Sequence, residues 1–124
     1  GVPSIYYGDE VGLQGYTDPL NRKCFPWGNE NKEILDWFKF LGKIRSQNSS
    51  FIDGELDLIY ANDGCILYKR FNEKSDIAVA VNLGKETKEI VFKGQIKDVI
   101  SGKVFVDKLE VKPNSFFLLQ GEMS

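Results

Sequence analysis

The stretch GVPSIYYGDEVG, residues 1–12, decides how the first part of the chain is interpreted. The run from Val2 to Tyr7 is apolar on both faces and rich in β-forming residues, and it ends at Gly8, Asp9 and Glu10. A strand of a parallel sheet is buried on both sides, so it lacks the alternation of a half-exposed strand. The sequence therefore predicts a fully buried strand over residues 2–7.

A long loop and an amphipathic helix follow this predicted strand. Residues 8–30 are rich in Gly, Asp, Asn and Pro, a composition typical of long functional loops. From residue 31 the apolar positions recur at helical spacing, and Asn31 is a suitable N-cap. Strand, loop and helix make one β/α unit, which needs parallel neighbours to be stable. In eight-stranded β/α barrels, the loop in this position contributes to the active site.

From about residue 50 the apolar period changes from helical to two, and turn signals recur at short intervals. This pattern predicts a mainly β fold, an antiparallel β-sandwich of the Greek-key type over residues 50–124, preceded by the β/α unit over residues 1–49. On the third strand, the pattern places Ile77, Val79 and Val81 towards the core. The predicted strands are Glu55–Ala61, Cys65–Phe71, Asp76–Leu83, Lys88–Lys93, Ile96–Ile100, Val104–Val106, Lys108–Lys112 and Ser115–Gln120.

Composition excludes several classes of function. The chain has 124 residues, 42% of them hydrophobic, and a formal net charge of −2, so it has no basic surface for nucleic acid and no apolar run that could span a membrane. It has no histidine, which removes most zinc sites, and we predict neither a metal nor a cofactor. Cys24 and Cys65 are interpreted as free thiols. The compartment is left open, with the cytoplasm favoured.

The first 27 residues resemble the α-amylase superfamily of retaining glycoside hydrolases, in particular its neopullulanase, cyclomaltodextrinase and maltogenic amylase group. Around the last barrel strand this family carries the motif G-x-P-x-I-Y-Y-G-[DE]-E-x-G, followed by D-P-x-N-R-x-x-x-P-W. The matching residues are Gly1, Pro3, Ile5, Tyr6, Tyr7, Gly8, Glu10 and Gly12 in the first motif, and Asp18, Pro19, Asn21, Arg22, Pro26 and Trp27 in the second. The resemblance implies that the chain is a C-terminal fragment: the final barrel strand, its loop and helix, and the terminal sandwich.

The resemblance also implies what chemistry is absent. Retaining hydrolysis uses two carboxyl groups about 5–5.5 Å apart, and in the family the catalytic carboxylates come from strands upstream of the segment that matches Gly1. No catalytic residue is therefore expected in this chain. Asp9 and Glu10 are consecutive in a turn, and we expect them to accept loop N–H groups.

Asp18 and Arg22 are the predicted substrate-binding residues. A carboxylate and a guanidinium on one loop can bind vicinal sugar hydroxyls, and in relatives the matching pair contacts the glucose at the non-reducing end. The alternative is an ion pair that only shapes the loop, and both roles are compatible. Tyr16, Phe25 and Trp27 are candidates for stacking on sugar rings. For Trp27 the alternative, a place in the loop core, is favoured, because an aromatic residue beside a proline is more often packed than exposed.

The expected function is that of part of an enzyme that hydrolyses or transfers α-glucosidic bonds in maltooligosaccharides or related glucans, the fragment itself being inactive. Two alternatives remain: a non-catalytic carbohydrate-binding β-sandwich, and an inactive relative built on the same barrel, such as a sugar-transport subunit. The expected partner is an α-glucan oligosaccharide. Residues 2–7 are in addition expected to pair with a strand edge or the helix, within the chain or in a second copy.

Overall fold

The computed structural model describes residues 2–123 and divides into two compact units, one ending at Gln47 and the other beginning at Asn48. The first unit holds a 3₁₀ turn at Asp9–Val11 and helix α1 at Lys32–Gln47. The second holds a short helix, α2, and six strands. These are α2 at Ser50–Asp53, β1 at Glu55–Asn62, β2 at Cys65–Phe71, β3 at Asp76–Asn82, β4 at Lys88–Asp98, β5 at Val104–Val111 and β6 at Ser115–Met123.

The predicted strand over residues 2–7 is not formed within the described chain. Val2 is 91% exposed and Ile5 is 58% exposed, so the apolar run that predicts a buried strand is largely uncovered. A strand of this kind is stabilised by hydrogen bonds to parallel neighbours, and every strand pair in the described residues is antiparallel and lies in the second unit. The structure therefore does not confirm the barrel-unit part of the prediction.

Helix α1 is confirmed, and so is its N-cap. The Ile34 N–H donates to Asn31 Oδ1 at 3.2 Å, which satisfies one of the free N–H groups of the first turn. The Asn31 N–H donates to the Val11 carbonyl at 3.1 Å, and Val11 is buried. The start of α1 is thereby fixed to the 3₁₀ turn, and the two ends of the intervening loop lie close together.

The second unit confirms the mainly β, antiparallel prediction. Its six strands form a sheet in the order β1-β2-β3-β6-β4-β5, with β6 inserted between β3 and β4. Buried residues from both halves of this order pack in one cluster, which includes Leu67, Ala80, Ile90 and Leu109. Because β2–β3 and β4–β5 share that core, the sheet folds over itself in the manner of a sandwich.

One detail of the predicted strands is wrong. The pattern predicts eight strands and six are described, because the fourth and fifth predicted strands lie in the single strand β4, and the sixth and seventh lie in β5. Ile77 and Val79 are buried, as predicted, and Val81 is half-buried. Ala78 and Ala80 are buried as well and belong to the core cluster, so β3 is covered on both faces. A strand buried on both faces gives no alternation from which its inward face could be read.

Both cysteines are free thiols, as predicted: Cys24 is exposed and Cys65 is buried. Burial raises the pKa of the Cys65 thiol, partly offset by the positive charge of Lys88. Cys65 therefore belongs to the core of the second unit.

Candidate functional site

The loop between the 3₁₀ turn and α1 carries the candidate site. Its first part closes tightly, because a Cβ on Gly15 would lie 2.7 Å from the Asn21 Cα, nearer than any real side chain approaches. Two backbone bonds shape the next turn: Leu20 N–H to the Thr17 carbonyl at 2.9 Å, and Arg22 N–H to the Pro19 carbonyl at 3.0 Å. The turn brings the side chains at its two ends, Asp18 and Arg22, to one side of the loop.

Asp18 and Arg22 form a two-point ion pair. Arg22 Nε lies 2.7 Å from Asp18 Oδ1, and Arg22 Nη2 donates to Asp18 Oδ2 at 3.1 Å. Both side chains are more than half exposed, so water screens the pair and its contribution to stability is small. The pairing sets the orientation of both groups, and both side chains stay accessible to solvent.

Two aromatic side chains, Phe25 and Trp27, follow this pair in the loop, and the prediction for Trp27 is wrong. Trp27 was expected in the loop core, yet it is 81% exposed, and Phe25 is the partly buried member of the two. The Trp27 N–H donates to the Phe25 carbonyl at 2.9 Å across Pro26, a turn that leaves the two ring centroids 4.5 Å apart. The tight turn lets Phe25 cover one part of the indole while the rest stays in water.

Of the two acids after the predicted strand, Glu10 acts on the backbone as expected: its Oε2 accepts the Gly8 N–H at 2.9 Å. Further along the loop, Glu30 Oε1 accepts the Gly28 N–H at 3.1 Å. The sequence pattern does not predict this contact. Hydrogen bonds from its own N–H and from that of Gly28 hold the pKa of Glu30 below its ordinary value. A Gly two residues before an acid, at a predicted turn, is the signal that could have indicated this contact.

One further contact ties the candidate loop to the apolar run that precedes it. The Tyr7 hydroxyl donates to the Lys23 carbonyl at 2.7 Å, which attaches the residue after Arg22 to the end of the apolar run. Sequence spacing gives no indication of this contact, because sixteen residues separate its partners.

Within residues 2–123, no three His, Cys, Asp or Glu side chains come together as metal ligands. None of the helices in the described part of the chain is long and apolar enough to cross a bilayer.

Several known proteins are similar in sequence to this chain, and two of them align with nearly all of it. A cyclomaltodextrinase from Thermoanaerobacter pseudethanolicus is 35% identical over 129 aligned residues, covering 97% of this chain and 22% of the relative. A maltogenic alpha-amylase from Bacillus acidopullulyticus is 32% identical, covering 97% of this chain and 23% of the relative. An amylopullulanase from Thermoanaerobacterium thermosulfurigenes is 38% identical over 73% of this chain and 5% of its own length.

Solved structures share the fold. The alpha-amylase from Geobacillus thermoleovorans superimposes with a TM-score of 0.84 at 22% identity, over 98% of this chain and 30% of that protein. No protein-family model matches the sequence. The chain spans at most about a quarter of the length of the curated relatives named above. As a segment of that extent, it belongs to the alpha-amylase superfamily of glycoside hydrolases.

Proposed function

We propose that this chain is the C-terminal part of a retaining glycosidase that acts on α-glucosidic bonds, and that its loop binds one end of the glucan through Asp18 and Arg22. A cyclomaltodextrinase and a maltogenic alpha-amylase each match 97% of the chain, which supports an α-glucan as the substrate class. The observation that carries the proposal is the exposed, two-point pair of Asp18 with Arg22.

The pair is suited to a sugar diol. Neighbouring hydroxyls on a glucose ring each donate and accept, so one can donate to Asp18 while the other accepts from Arg22. The two-point ion pair holds both groups ready before the sugar arrives, which reduces the side-chain entropy lost on binding. Because both groups are charged, each hydrogen bond to the sugar is of the stronger, charge-assisted kind.

Catalysis is assigned to carboxylates outside this chain. Retaining hydrolysis needs two carboxyl groups about 5–5.5 Å apart across the scissile bond. In the candidate loop, the Asp18 carboxylate is paired with Arg22, and the carboxylates of Glu10 and Glu30 accept backbone N–H groups. Each of these acids already has a structural partner, so none of them takes part in bond cleavage.

Activity measurements test the proposal directly. The 124-residue chain and the whole protein that contains it are incubated with maltotriose and with a nitrophenyl α-maltoside. The whole protein is expected to cleave both substrates with retention of anomeric configuration, and the isolated chain to cleave neither. The proposal is contradicted if the isolated chain cleaves a substrate, keeps this activity after repurification and loses it on Glu10→Ala substitution. It is also contradicted if the whole protein has no glycosidase activity on either substrate.

The exposed run at residues 2–7 is proposed as a contact for self-association of the isolated chain. Val2, Ile5, Tyr6 and Tyr7 are all exposed large hydrophobic residues. Exposed, unpaired β-forming segments pair readily with other chains. In the whole enzyme, the proposed barrel covers this segment instead.

A further inference from the structure

The Tyr7 side chain contacts the loop that carries Asp18 and Arg22. Its hydroxyl donates to the Lys23 carbonyl at 2.7 Å, although the two residues are sixteen positions apart. Tyr7 lies at the end of the apolar run, immediately before Gly8, whose φ angle of +89° directs the chain into the 3₁₀ turn. The hydrogen bond therefore links the last side chain before this turn to a backbone group just beyond the candidate pair.

The contacts inside the loop shape the pair without fixing its place in the first unit. Two backbone hydrogen bonds and the ion pair hold the turn from Thr17 to Arg22 together. Each of these contacts joins two residues of the same turn, so the turn can rotate as a body without breaking any of them. The Tyr7 hydroxyl lies outside the turn, and its bond to the Lys23 carbonyl limits this rotation.

The anchored carbonyl is close in the chain to the guanidinium group. Consecutive Cα atoms are about 3.8 Å apart, so a fixed peptide group after Lys23 also restricts the backbone of Arg22. A small backbone rotation at this position displaces the far end of the long arginine side chain by a larger distance. Tyrosine suits the role of an anchor, because its rigid ring loses little conformational entropy when it is held.

The surroundings of the Tyr7 hydroxyl keep it a hydrogen-bond donor. The Tyr6 and Tyr7 rings have centroids 4.7 Å apart and planes inclined by 45°, so each ring supports the other. Partial burial raises the pKa of the Tyr7 phenol, the Tyr6 side chain raises it further, and the positive charge of Arg22 offsets part of the rise. The phenol therefore keeps its proton at neutral pH, and the Lys23 carbonyl keeps its donor.

We propose that Tyr7 is a positioning residue for sugar binding: its hydroxyl, acting through the backbone of the loop, holds the pair of Asp18 and Arg22 where it meets the terminal glucose. This inference rests on the proposed function of that pair and adds a residue to it. Tyr7 itself contacts no sugar, since its O–H is already bonded to the Lys23 carbonyl. Without the hydroxyl, the loop occupies its binding position for only a fraction of the time, and the apparent affinity falls by that fraction.

This role affects KM rather than kcat. A loop that holds one end of the glucan contributes equally to the binding of substrate and transition state, and its loss raises KM with kcat unchanged. One neutral hydrogen bond corresponds to about two- to tenfold in an equilibrium constant. A residue that only stabilises the fold would instead lower the amount of active enzyme, and hence the apparent kcat, with KM unchanged.

The test uses the whole protein that contains this chain, with maltotriose and maltoheptaose as substrates. Tyr7→Phe removes only the hydroxyl, and it is expected to raise KM for maltotriose about two- to tenfold while kcat stays nearly constant. The effect on maltoheptaose should be smaller, because a longer glucan has further contacts. The matched control, Tyr68→Phe, removes the same group from β2 in the second unit and should change neither constant.

A further variant shows whether Tyr7 acts through the pair. In a protein that already carries Asp18→Ala and Arg22→Ala, adding Tyr7→Phe should cause no further rise in KM, because a positioning residue acts only through the groups that it positions. If Tyr7→Phe still raises KM in this protein, its hydroxyl contacts the sugar directly and the proposal is wrong.

The hydrogen bond itself is checked by NMR on the 124-residue chain, without any activity measurement. Tyr7→Phe should shift the Cys24 amide resonance, since that amide shares its peptide group with the Lys23 carbonyl, and Tyr68→Phe should not. A Cys24 amide that stays in place on Tyr7→Phe substitution excludes the anchoring contact.

The kinetic results also separate this inference from the proposed function. If Arg22→Ala raises KM for maltotriose and Tyr7→Phe does not, the positioning role is wrong and sugar binding by the pair still stands. A fall in kcat on Tyr7→Phe substitution with KM unchanged likewise overturns the positioning role. If Arg22→Ala changes KM for neither substrate, the proposed binding function fails, and the inference about Tyr7 fails with it.

Discussion

The Gly94 N–H donates to Asp107 Oδ1 at 3.1 Å, and both residues have positive φ angles, +124° for Gly94 and +60° for Asp107. Gly94 lies where the pairing of β4 with β5 shifts register, between Val91 and Gln95. On its C-terminal side, β4 also pairs with β6. The hydrogen bond joins two irregular positions on facing strands, so that β4 can bend from one half of the sheet to the other without a break.

Gly94→Ala is expected to destabilise the β domain by about 2–4 kcal/mol, since a Cβ there would collide with the Glu122 carbonyl and the φ angle is unfavourable for any other residue. Urea unfolding, followed by a signal from the β domain, measures the change. Gly42→Ala is the matched control: nothing lies near its added Cβ, and an alanine inside α1 should stabilise the helix by about 1 kcal/mol. Equal stability of the Gly94→Ala variant and the wild type would refute this account of the bulge.

Asn82 is a second position where the core depends on one polar side chain. Its Nδ2 donates to the carbonyls of Glu86 and Val111, each at 2.8 Å, and its Oδ1 accepts the Gly84 N–H at 2.8 Å. Asn82 is fully buried, so Asn82→Ala leaves these backbone groups without partners and should lower the free energy of unfolding by about 2–4 kcal/mol. Thermal and urea unfolding check the value. The comparison variant is Asn114→Ala at an exposed turn, which should change stability by less than the core variant does.

The sequence predicts the elements whose signals are local. It does not predict features that depend on a partner far away in the chain. Asn31 and the apolar spacing after it are sufficient for α1 and its cap, and all six strands begin at residues where the change to a period of two predicts a strand start. The bulge at Gly94 was interpreted as a turn because its partner, Asp107, is thirteen residues away. The pair of Asp18 and Arg22 was within reach of sequence reasoning because they are four positions apart, whereas Phe105 and Phe117 meet edge to face only in the folded β domain.

The pH dependence of the loop follows from Glu30. The folded-state pKa of this carboxyl is lowered, so its contribution is present above the ordinary value of 4.5 and is lost as the pH falls through the lower, folded-state value. The Gly28 amide resonance should therefore move as the pH falls below 4.5, because its acceptor becomes protonated. Glu30→Gln should abolish this titration, and Glu33→Gln, on the exposed first turn of α1, should leave it intact. A Gly28 amide that titrates identically in both variants would exclude the assigned hydrogen bond.

We expect the isolated chain to self-associate. The full 124 residues should form dimers or larger species at micromolar to millimolar concentration, since the apolar run at residues 2–7 is exposed and lies in no strand. Light scattering on this chain and on a variant starting at Asn48 compares the two directly. The shorter chain retains all six strands and is expected to be monomeric. If the full chain is monomeric over this range, residues 2–7 are not an association surface.

Arg22 is expected to matter most for short substrates of the whole enzyme. If it contacts a single terminal glucose, Arg22→Ala removes a fixed amount of binding, about 1–3 kcal/mol, equivalent to roughly five- to 150-fold in kcat/KM. A long glucan has further contacts elsewhere that reduce the relative loss, whereas maltotriose has few. Lys23→Ala is the control, because it removes a neighbouring charge while its backbone carbonyl still accepts from Tyr7. The two roles of Arg22 can then be separated: a loss that shrinks as the glucan lengthens supports sugar binding, whereas an equal loss on every chain length means that the ion pair with Asp18 only shapes the loop.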